Sequence, residues 1–119
     1  MNAEEIIRLK TTALYSSLKG TNTFGKFFNK SILHNVVVME IFYNKIVNGI
    51  SYEKLCINIP KTLGSRSSIQ NLLNEGLDKK ILVKVENKKD KRIKNYYLSE
   101  QSSELVIDWI KKQKIIFNS

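Results

Sequence analysis

The middle of the chain changes from helical to strand periodicity in an order that few folds accommodate. Residues 51–57 show the apolar spacing of a short helix, which Pro60 prevents from continuing. After a turn, Ser65 is a good N-cap for a longer helix over 66–79. Residues 51–79 therefore predict a helix-turn-helix unit. The apolar faces of its two helices are Tyr52, Leu55 and Cys56, then Ile69, Leu72, Leu73 and Leu77.

Two strand-like runs follow the predicted helix-turn-helix unit. Residues 81–85 and 92–98 are rich in Val, Ile, Leu and Tyr, and they flank a polar tip at 86–91. A tip of this length suits a β hairpin, so residues 81–98 are predicted to form a wing. The predicted fold class is mainly α with a small β hairpin, a winged helix-turn-helix.

The N-terminal part of the chain predicts one helix and an unusual connection. Residues 3–19 are amphipathic with helical spacing, and Gly20 is a typical residue at which such a helix ends. Residues 20–30 are otherwise polar but contain three phenylalanines, Phe24, Phe27 and Phe28. A polar loop does not need them, so we expect them to dock on a partner helix or on a second subunit.

Two further helices are predicted on either side of the middle region. Ser31 is a plausible N-cap for a helix over 32–47, closed by Asn48-Gly49. This segment is apolar on all sides, which is typical of a helix at the centre of a fold. Its β-branched residues leave a strand as the alternative. Ser99 is the expected cap of a last helix over about 100–116.

The length of the chain, its single cysteine and its short apolar runs limit the class of protein that it can be. Its 119 residues suit one domain. Cys56 is the only cysteine, so no internal disulfide can form and nothing indicates an oxidising compartment. The N-terminus lacks the basic and apolar regions of a signal peptide, and the run at 36–39 is too short to span a bilayer. We expect a cytoplasmic protein without a membrane segment.

The charge of the chain favours a polyanionic partner. Its formal net charge is +9, and its pI is near 9.7. Residues 61–94 contain ten basic and four acidic residues, an excess of six in under a third of the length. Charge concentrated in this way suits a surface that follows phosphates, whereas a merely solubilising charge would be spread evenly.

The start of the longer helix offers side chains that can read bases. Arg pairs with guanine, and Gln or Asn with adenine, through two hydrogen bonds each. Hydroxyl groups bond to bases or phosphates. The predicted set is Ser65, Arg66, Ser67, Ser68, Gln70 and Asn71, with Asn74 beyond it. The alternative is that these are solvated polar residues, and we assign Ser65 mainly to capping.

The wing tip is the second candidate contact with DNA. It carries Lys88, Lys89, Asp90, Lys91 and Arg92. A narrow, A·T-rich minor groove attracts an inserted Arg, and the Asp90 carboxylate is placed to hold the Arg92 guanidinium. Lys61 and Lys94, on either side, complete the predicted DNA-binding residues. The alternative is an ordinary polar hairpin turn.

From Ile50 to Leu98 the sequence resembles the MarR-type winged helix-turn-helix regulators. The matching stretches are Ser51-Tyr52-Glu53-Lys54-Leu55, Ser65-Arg66-Ser67-Ser68-Ile69, Asp90-Lys91-Arg92 and Tyr97-Leu98-Ser99-Glu100. The resemblance implies that Asp90 and Arg92 form the family's Asp-x-Arg wing motif. It also implies double-stranded DNA as partner and a recognition helix, 66–79, in the major groove, with wing residues 86–92 in the minor groove.

The resemblance further implies a homodimer joined through segments 1–30 and 100–119. Three features depart from the family pattern: the inter-helix segment 58–64 is longer than usual, Gly76 replaces a core Leu, and Lys80 replaces a Gly. No signature of the family's pocket for small effectors is recognisable, so an effector is not implied.

Other residue classes give no sign of chemistry. His34 and Cys56 alone cannot supply four zinc ligands, and no catalytic set or phosphate loop is present, so we expect neither an enzyme nor a cofactor. Cys56 is expected to be a small core residue, with redox sensing as the less favoured role. The main alternative function is a winged-helix adaptor that binds a protein of a transcription or replication complex. RNA or a membrane surface as partner is less well supported.

Overall fold

The structure, a computed structural model, describes residues 2–18, 23–44 and 49–117, without the side chains of 13–18 and 115–117. It contains six helices and three strands within these ranges. In chain order they are α1 (Ala3–Leu18), α2 (Thr23–Phe28), α3 (Ile32–Tyr43), β1 (Ile50–Ser51), α4 (Tyr52–Asn58), α5 (Arg66–Asp78), β2 (Leu82–Glu86), β3 (Lys94–Leu98) and α6 (Glu100–Phe117).

Serine side chains begin four of these helices. The Oγ atoms of Ser31, Ser51 and Ser65 each accept a hydrogen bond from the backbone N–H three residues later. Ser99 Oγ accepts in the same way from the N–H of Ser102 at 3.2 Å. Such bonds satisfy donors that the first helical turn leaves unpaired. The caps predicted at Ser31, Ser65 and Ser99 are confirmed.

α3 is the central helix, and the strand alternative for this segment is wrong. Its buried side chains Leu33, Val37, Val38 and Ile41 belong to the core, and the helix contacts α2, α5 and β3. The helix ends earlier than predicted, at Tyr43, with Asn44 as its C-cap. Residues 45–48 lie outside the described ranges, and so do Lys19 and Gly20, where the end of the first helix was predicted. Gly49 has a φ of +79° and packs on the Tyr97 ring.

The three phenylalanines lie in α2, a helix that sequence reasoning treated as a connection. Phe24, Phe27 and Phe28 are buried in the core of the chain itself. Phe28 packs edge-on against Trp109 of α6, with ring centroids 5.4 Å apart. The sequence left two partners open for these residues, a partner helix or a second subunit. In the structure they pack against neighbouring helices of the same chain. α6 contributes Val106 to this core, and Leu105 and Trp109 pack against it.

The sheet has three antiparallel strands in the order β1-β3-β2 rather than the predicted two. β1 consists of two residues, and Ile50 pairs with Tyr96 of β3. The hairpin register pairs Leu82 with Leu98 and Val83 with Tyr97. Strand β3 begins at Lys94 rather than at residue 92, because Arg92 and Ile93 belong to the turn. The inner face of the hairpin covers the core.

A left-handed residue ends α5 and directs the chain into the wing. The N–H of Lys80 donates to the Leu77 carbonyl at 3.0 Å, and that of Ile81 donates to the Gly76 carbonyl at 2.9 Å. These are the two bonds of a Schellman motif. Lys80 has a φ of +60°, a conformation that glycine adopts most easily. This explains why the family that the sequence resembles has Gly at this position. Leu82 occupies the space that a side chain at position 76 would need.

Candidate nucleic-acid interface

α4, the following turn and α5 form the predicted helix-turn-helix unit. Leu55 of α4 is fully buried, and Ile69 and Leu73 of α5 face the same core. The longer inter-helix segment is anchored by Ile59, which is buried, and by Leu63, which packs against the core. Because the turn is anchored at both ends, its extra length does not detach α5 from α4.

The first turn of α5 presents a cluster of hydroxyl groups to solvent. Ser65 Oγ accepts from the backbone N–H of Ser68 at 3.1 Å and lies 3.1 Å and 2.9 Å from the hydroxyls of Ser67 and Ser68. Ser65, Ser67 and Ser68 are all exposed. Capping thus occupies Ser65, as predicted, and leaves the other two hydroxyls at the surface.

Arg66 is held by two residues of α4 that sequence reasoning did not include in the site. Its Nη2 donates to Glu53 Oε1, and its guanidinium carbon lies 5.3 Å from the centroid of the Tyr52 ring. The Tyr52 hydroxyl donates to the Arg66 carbonyl at 3.0 Å. Burial, followed by a hydrogen bond with the Cys56 side chain, raises the pKa of Tyr52.

The polar face continues along α5. Gln70 Nε2 donates to Asn74 Oδ1 at 3.2 Å, one turn further on, while Asn71 is exposed on the same helix. Such amide pairs on one helix face are weak in water. A DNA base that bonded to Gln70 or Asn74 would therefore have to break only this weak hydrogen bond.

The wing turn is organised by one asparagine. Asn87 Oδ1 accepts from the backbone N–H groups of Lys89 at 2.8 Å and Asp90 at 3.2 Å. The chain closes with a bond from the Asn87 N–H to the Ile93 carbonyl at 2.9 Å. A side chain that accepts backbone hydrogen bonds within its own turn stabilises that turn.

Asp90 binds Arg92 at the exposed end of this turn. Its Oδ1 accepts from the Arg92 backbone N–H at 3.0 Å and from Nε at 3.1 Å, and its Oδ2 accepts from Nη2 at 3.1 Å. The side-chain bond from Arg92 holds the pKa of Asp90 below its usual range. The Arg92 side chain is 91% exposed and that of Asp90 35%. The pairing predicted from the two-residue spacing is confirmed.

The lysines of the predicted site fall into two groups. Lys94 is neutralised by Glu86, across the hairpin, at 2.7 Å. Within the part of the chain that the structure describes, the exposed residues Lys61, Lys88, Lys89 and Lys91 form no ion pair with an acidic side chain. An unpaired cation can bind a phosphate without first breaking an internal ion pair. Among the lysines of the predicted site, these four therefore offer the positive charge that is free to bind phosphates.

A separate cluster on α5 gathers around Glu75. This carboxylate accepts from Lys30 at 2.7 Å, from His34 Nε2 at 2.9 Å and from Lys79 at 3.0 Å. Partial burial on its own raises the pKa of Glu75, but the three hydrogen bonds outweigh it and lower the pKa to about 2. The cluster connects α5 to the α2–α3 corner.

Two features are absent from the described ranges. No three His, Cys, Asp or Glu side chains lie together as metal ligands would in residues 2–18, 23–44 and 49–117. No helix in the same ranges has the length and apolar character needed to cross a bilayer.

Comparisons of the sequence alone find nothing: no family model matches, and no curated protein is significantly similar. Solved structures do match. A point mutant of ZitR from Lactococcus lactis superimposes with a TM-score of 0.59 at 9% identity, over 99% of this chain and 80% of that one. MepR from S. aureus, bound to ethidium bromide, gives 0.51 at 17% identity, over 99% and 76%.

A third match is the heme sensor protein PefR from Streptococcus agalactiae, in complex with heme. Its TM-score is 0.51 at 18% identity, over 98% of this chain and 74% of that one. All three are MarR-family regulators. The chain therefore has the winged helix fold of that family, as its sequence motifs predicted.

Proposed function

We propose that this chain is a transcription regulator that binds double-stranded DNA sequence-specifically, with α5 in the major groove and wing residues 86–92 in the minor groove. The observation that carries the proposal is the Asp90–Arg92 pair, because it fixes a guanidinium in an almost fully exposed position at the end of the wing. An Arg presented in this way suits the negative potential of a narrow minor groove.

The charges around the pair support the same partner. Lys88, Lys89 and Lys91 lie within four residues of Arg92 and are exposed. Each cation that contacts a phosphate releases counterions, so affinity should fall steeply with salt. The hydroxyls of Ser67 and Ser68 and the amides of Gln70 and Asn71 would then make the contacts to bases or nearby phosphates. In this proposal the chain acts by binding alone, without catalysis or a cofactor.

A homodimer is the second part of the proposal, with α1 and α6 as the joining helices. Both helices leave large apolar side chains exposed in the single chain, Ile7 and Leu9 on α1, Ile107 and Ile110 on α6. A second copy that covered them would remove apolar surface from water. Two copies related by a twofold axis would bind half-sites about one helical turn apart.

The test is selection of bound sequences from a random pool of duplex DNA, combined with fluorescence anisotropy over a salt series. The proposal predicts an enriched inverted repeat and an affinity that falls steeply with salt. Steep salt dependence without an enriched sequence would contradict sequence-specific binding and indicate a protein that reads DNA shape. Absence of binding at low salt would contradict the proposal and favour the protein-binding adaptor.

A further inference from the structure

The first residues of α4 and α5 meet in a cluster of three side chains: Tyr52, Glu53 and Arg66. Glu53 takes a hydrogen bond from Arg66 Nη2, and the Tyr52 ring covers one side of the guanidinium. All three contacts cross between the two helices, since the Tyr52 hydroxyl also holds the backbone of Arg66. The Arg66 side chain is 57% exposed and is therefore open to a ligand while it is held.

The donors that remain on Arg66 match the major-groove edge of guanine. A guanidinium has five N–H groups, and Glu53 uses one of the two on Nη2. The second N–H of Nη2 and those of Nη1 stay available, which gives two adjacent donors. Guanine presents two acceptors, O6 and N7, at the spacing that such a pair of donors binds.

The held geometry reduces the cost of that recognition. A solvated Arg side chain loses rotamer freedom when it docks, and a side chain already fixed loses less. The carboxylate of Glu53 also repels the negative charge of a phosphate, so it disfavours a contact of Arg66 with the DNA backbone. Adenine offers one acceptor beside a donor, so it cannot take both N–H groups of Arg66.

We infer that Glu53 is a specificity-determining residue that positions Arg66 to recognise a G·C base pair in the major groove. The inference rests on the proposed function, because it assumes that α5 enters that groove. Glu53 itself is a positioning residue, and Arg66 makes the contact with the base.

The experiment measures base preference at every position of the selected duplex for the wild type and a set of variants. Arg66→Ala should lose a guanine preference of about 10- to 100-fold at one position of each half-site. Glu53→Gln should lose roughly 3- to 10-fold of the same preference at the same position. The double variant E53Q/R66A should be no less selective than R66A, because Glu53 acts through Arg66.

Two controls separate position from charge. Glu40→Gln removes a half-buried carboxylate on α3, outside the proposed contacts with DNA, so it changes the net charge by the same amount. It should change affinity for all sequences alike and leave the preference unchanged. Glu53→Asp keeps the charge but shortens the reach, and it should lose the preference as E53Q does.

Three results would overturn the inference. The first is an E53Q preference within twofold of the wild type, and the second is an R66A preference that is unchanged. The third is a sharper guanine preference in E53Q, which would mean that Glu53 competes with DNA for Arg66. A wild-type chain that binds no duplex, or binds all duplexes equally, overturns the proposed function and the inference together. The wild type is therefore measured before any variant.

Discussion

Arg66 at the start of α5 and Arg92 at the tip of the wing are both held by a carboxylate, but the two carboxylates reach them by different routes. Asp90 lies two residues from Arg92 in the same turn and bonds to its backbone as well as its side chain. Glu53 lies thirteen residues from Arg66, on another helix. The wing pair thus depends only on its own turn, whereas the α5 pair exists only while α4 and α5 are docked.

This difference separates two kinds of contact that a DNA-binding chain needs. A guanidinium fixed within its own exposed turn suits a groove contact that does not depend on one particular base pair. A guanidinium fixed between two helices has its position set by the fold, as reading a single base pair requires. We therefore assign affinity mainly to Arg92 and base preference mainly to Arg66.

The largest effect is expected at a third carboxylate, Glu75. It tests whether a partly buried ion-pair cluster stabilises the fold where the two exposed arginine pairs do not. Glu75 is only 22% exposed and has a pKa of about 2, below its usual 4.5. A lowered carboxyl pKa stabilises the fold above the unfolded pKa, and this contribution is lost as pH falls from about 5 towards 2. Glu75→Gln should therefore lower the free energy of unfolding at pH 7 by about 2–3 kcal/mol.

Urea unfolding of the wild type and E75Q at several pH values measures this contribution. The gap between the two proteins should close as the pH approaches 2. The exposed-pair variants D90N and E53Q serve as controls and should unfold like the wild type, because exposed ion pairs contribute little. A gap that is constant with pH, or an equal loss in the controls, would break the distinction between Glu75 and the two arginine pairs.

The next effect concerns base preference. Arg66→Ala should lose about 10- to 100-fold of discrimination at one base pair while keeping its affinity for unrelated DNA within a few-fold of the wild type. Competition anisotropy with duplexes that differ at that single position measures the ratio. A uniform loss for all duplexes would show that Arg66 contacts phosphate instead, and the contrast with Arg92 would disappear.

Arg92→Ala should have a smaller and more even effect. Loss of one minor-groove cation should weaken binding to all duplexes by roughly 10-fold and reduce the slope of affinity against salt by about one. Lys26→Ala, which removes an exposed charge on α2, is the matched control and should change neither. If R92A weakens binding to one sequence much more than to others, the wing reads bases or groove shape. Base preference would then not depend mainly on Arg66.

The smallest effect is expected at the residue that joins the two regions. Lys80 ends α5 with a φ of +60°, a conformation that costs an L-residue about 1–2 kcal/mol. Glycine avoids this cost but loses more backbone entropy on folding, so Lys80→Gly should raise the unfolding free energy by about 0.5–1 kcal/mol. Thermal unfolding measures it, and a destabilised K80G would mean that the Lys80 side chain itself matters.

Local features of this chain were predictable from its sequence, and contacts between distant segments were not. The cap at Ser65 and the Asp90–Arg92 pair involve residues two or three positions apart, so residue type and spacing suffice. The contact of Glu53 with Arg66 depends on how two helices dock, and no local pattern encodes that. The Glu75 cluster spans 45 residues to Lys30 and was missed for the same reason.

Two structural elements were missed for related reasons. β1 has only two residues, and it is a strand only because Ile50 meets Tyr96 of β3 far along the chain. α2 is too short to show a helical period, and its phenylalanines are helical because they pack against α3 and α6. Elements this short take their conformation from tertiary packing rather than from propensity.

The most direct measurement of the central claim is a titration of the 15N-labelled protein with a short random-sequence duplex at low salt, followed by backbone amide NMR. We predict shift changes concentrated at residues 65–71 and 87–94, with smaller changes around Lys61. Changes confined to α1 and α6, or none at all at low salt, would contradict the account, because neither the start of α5 nor the wing tip would then contact DNA.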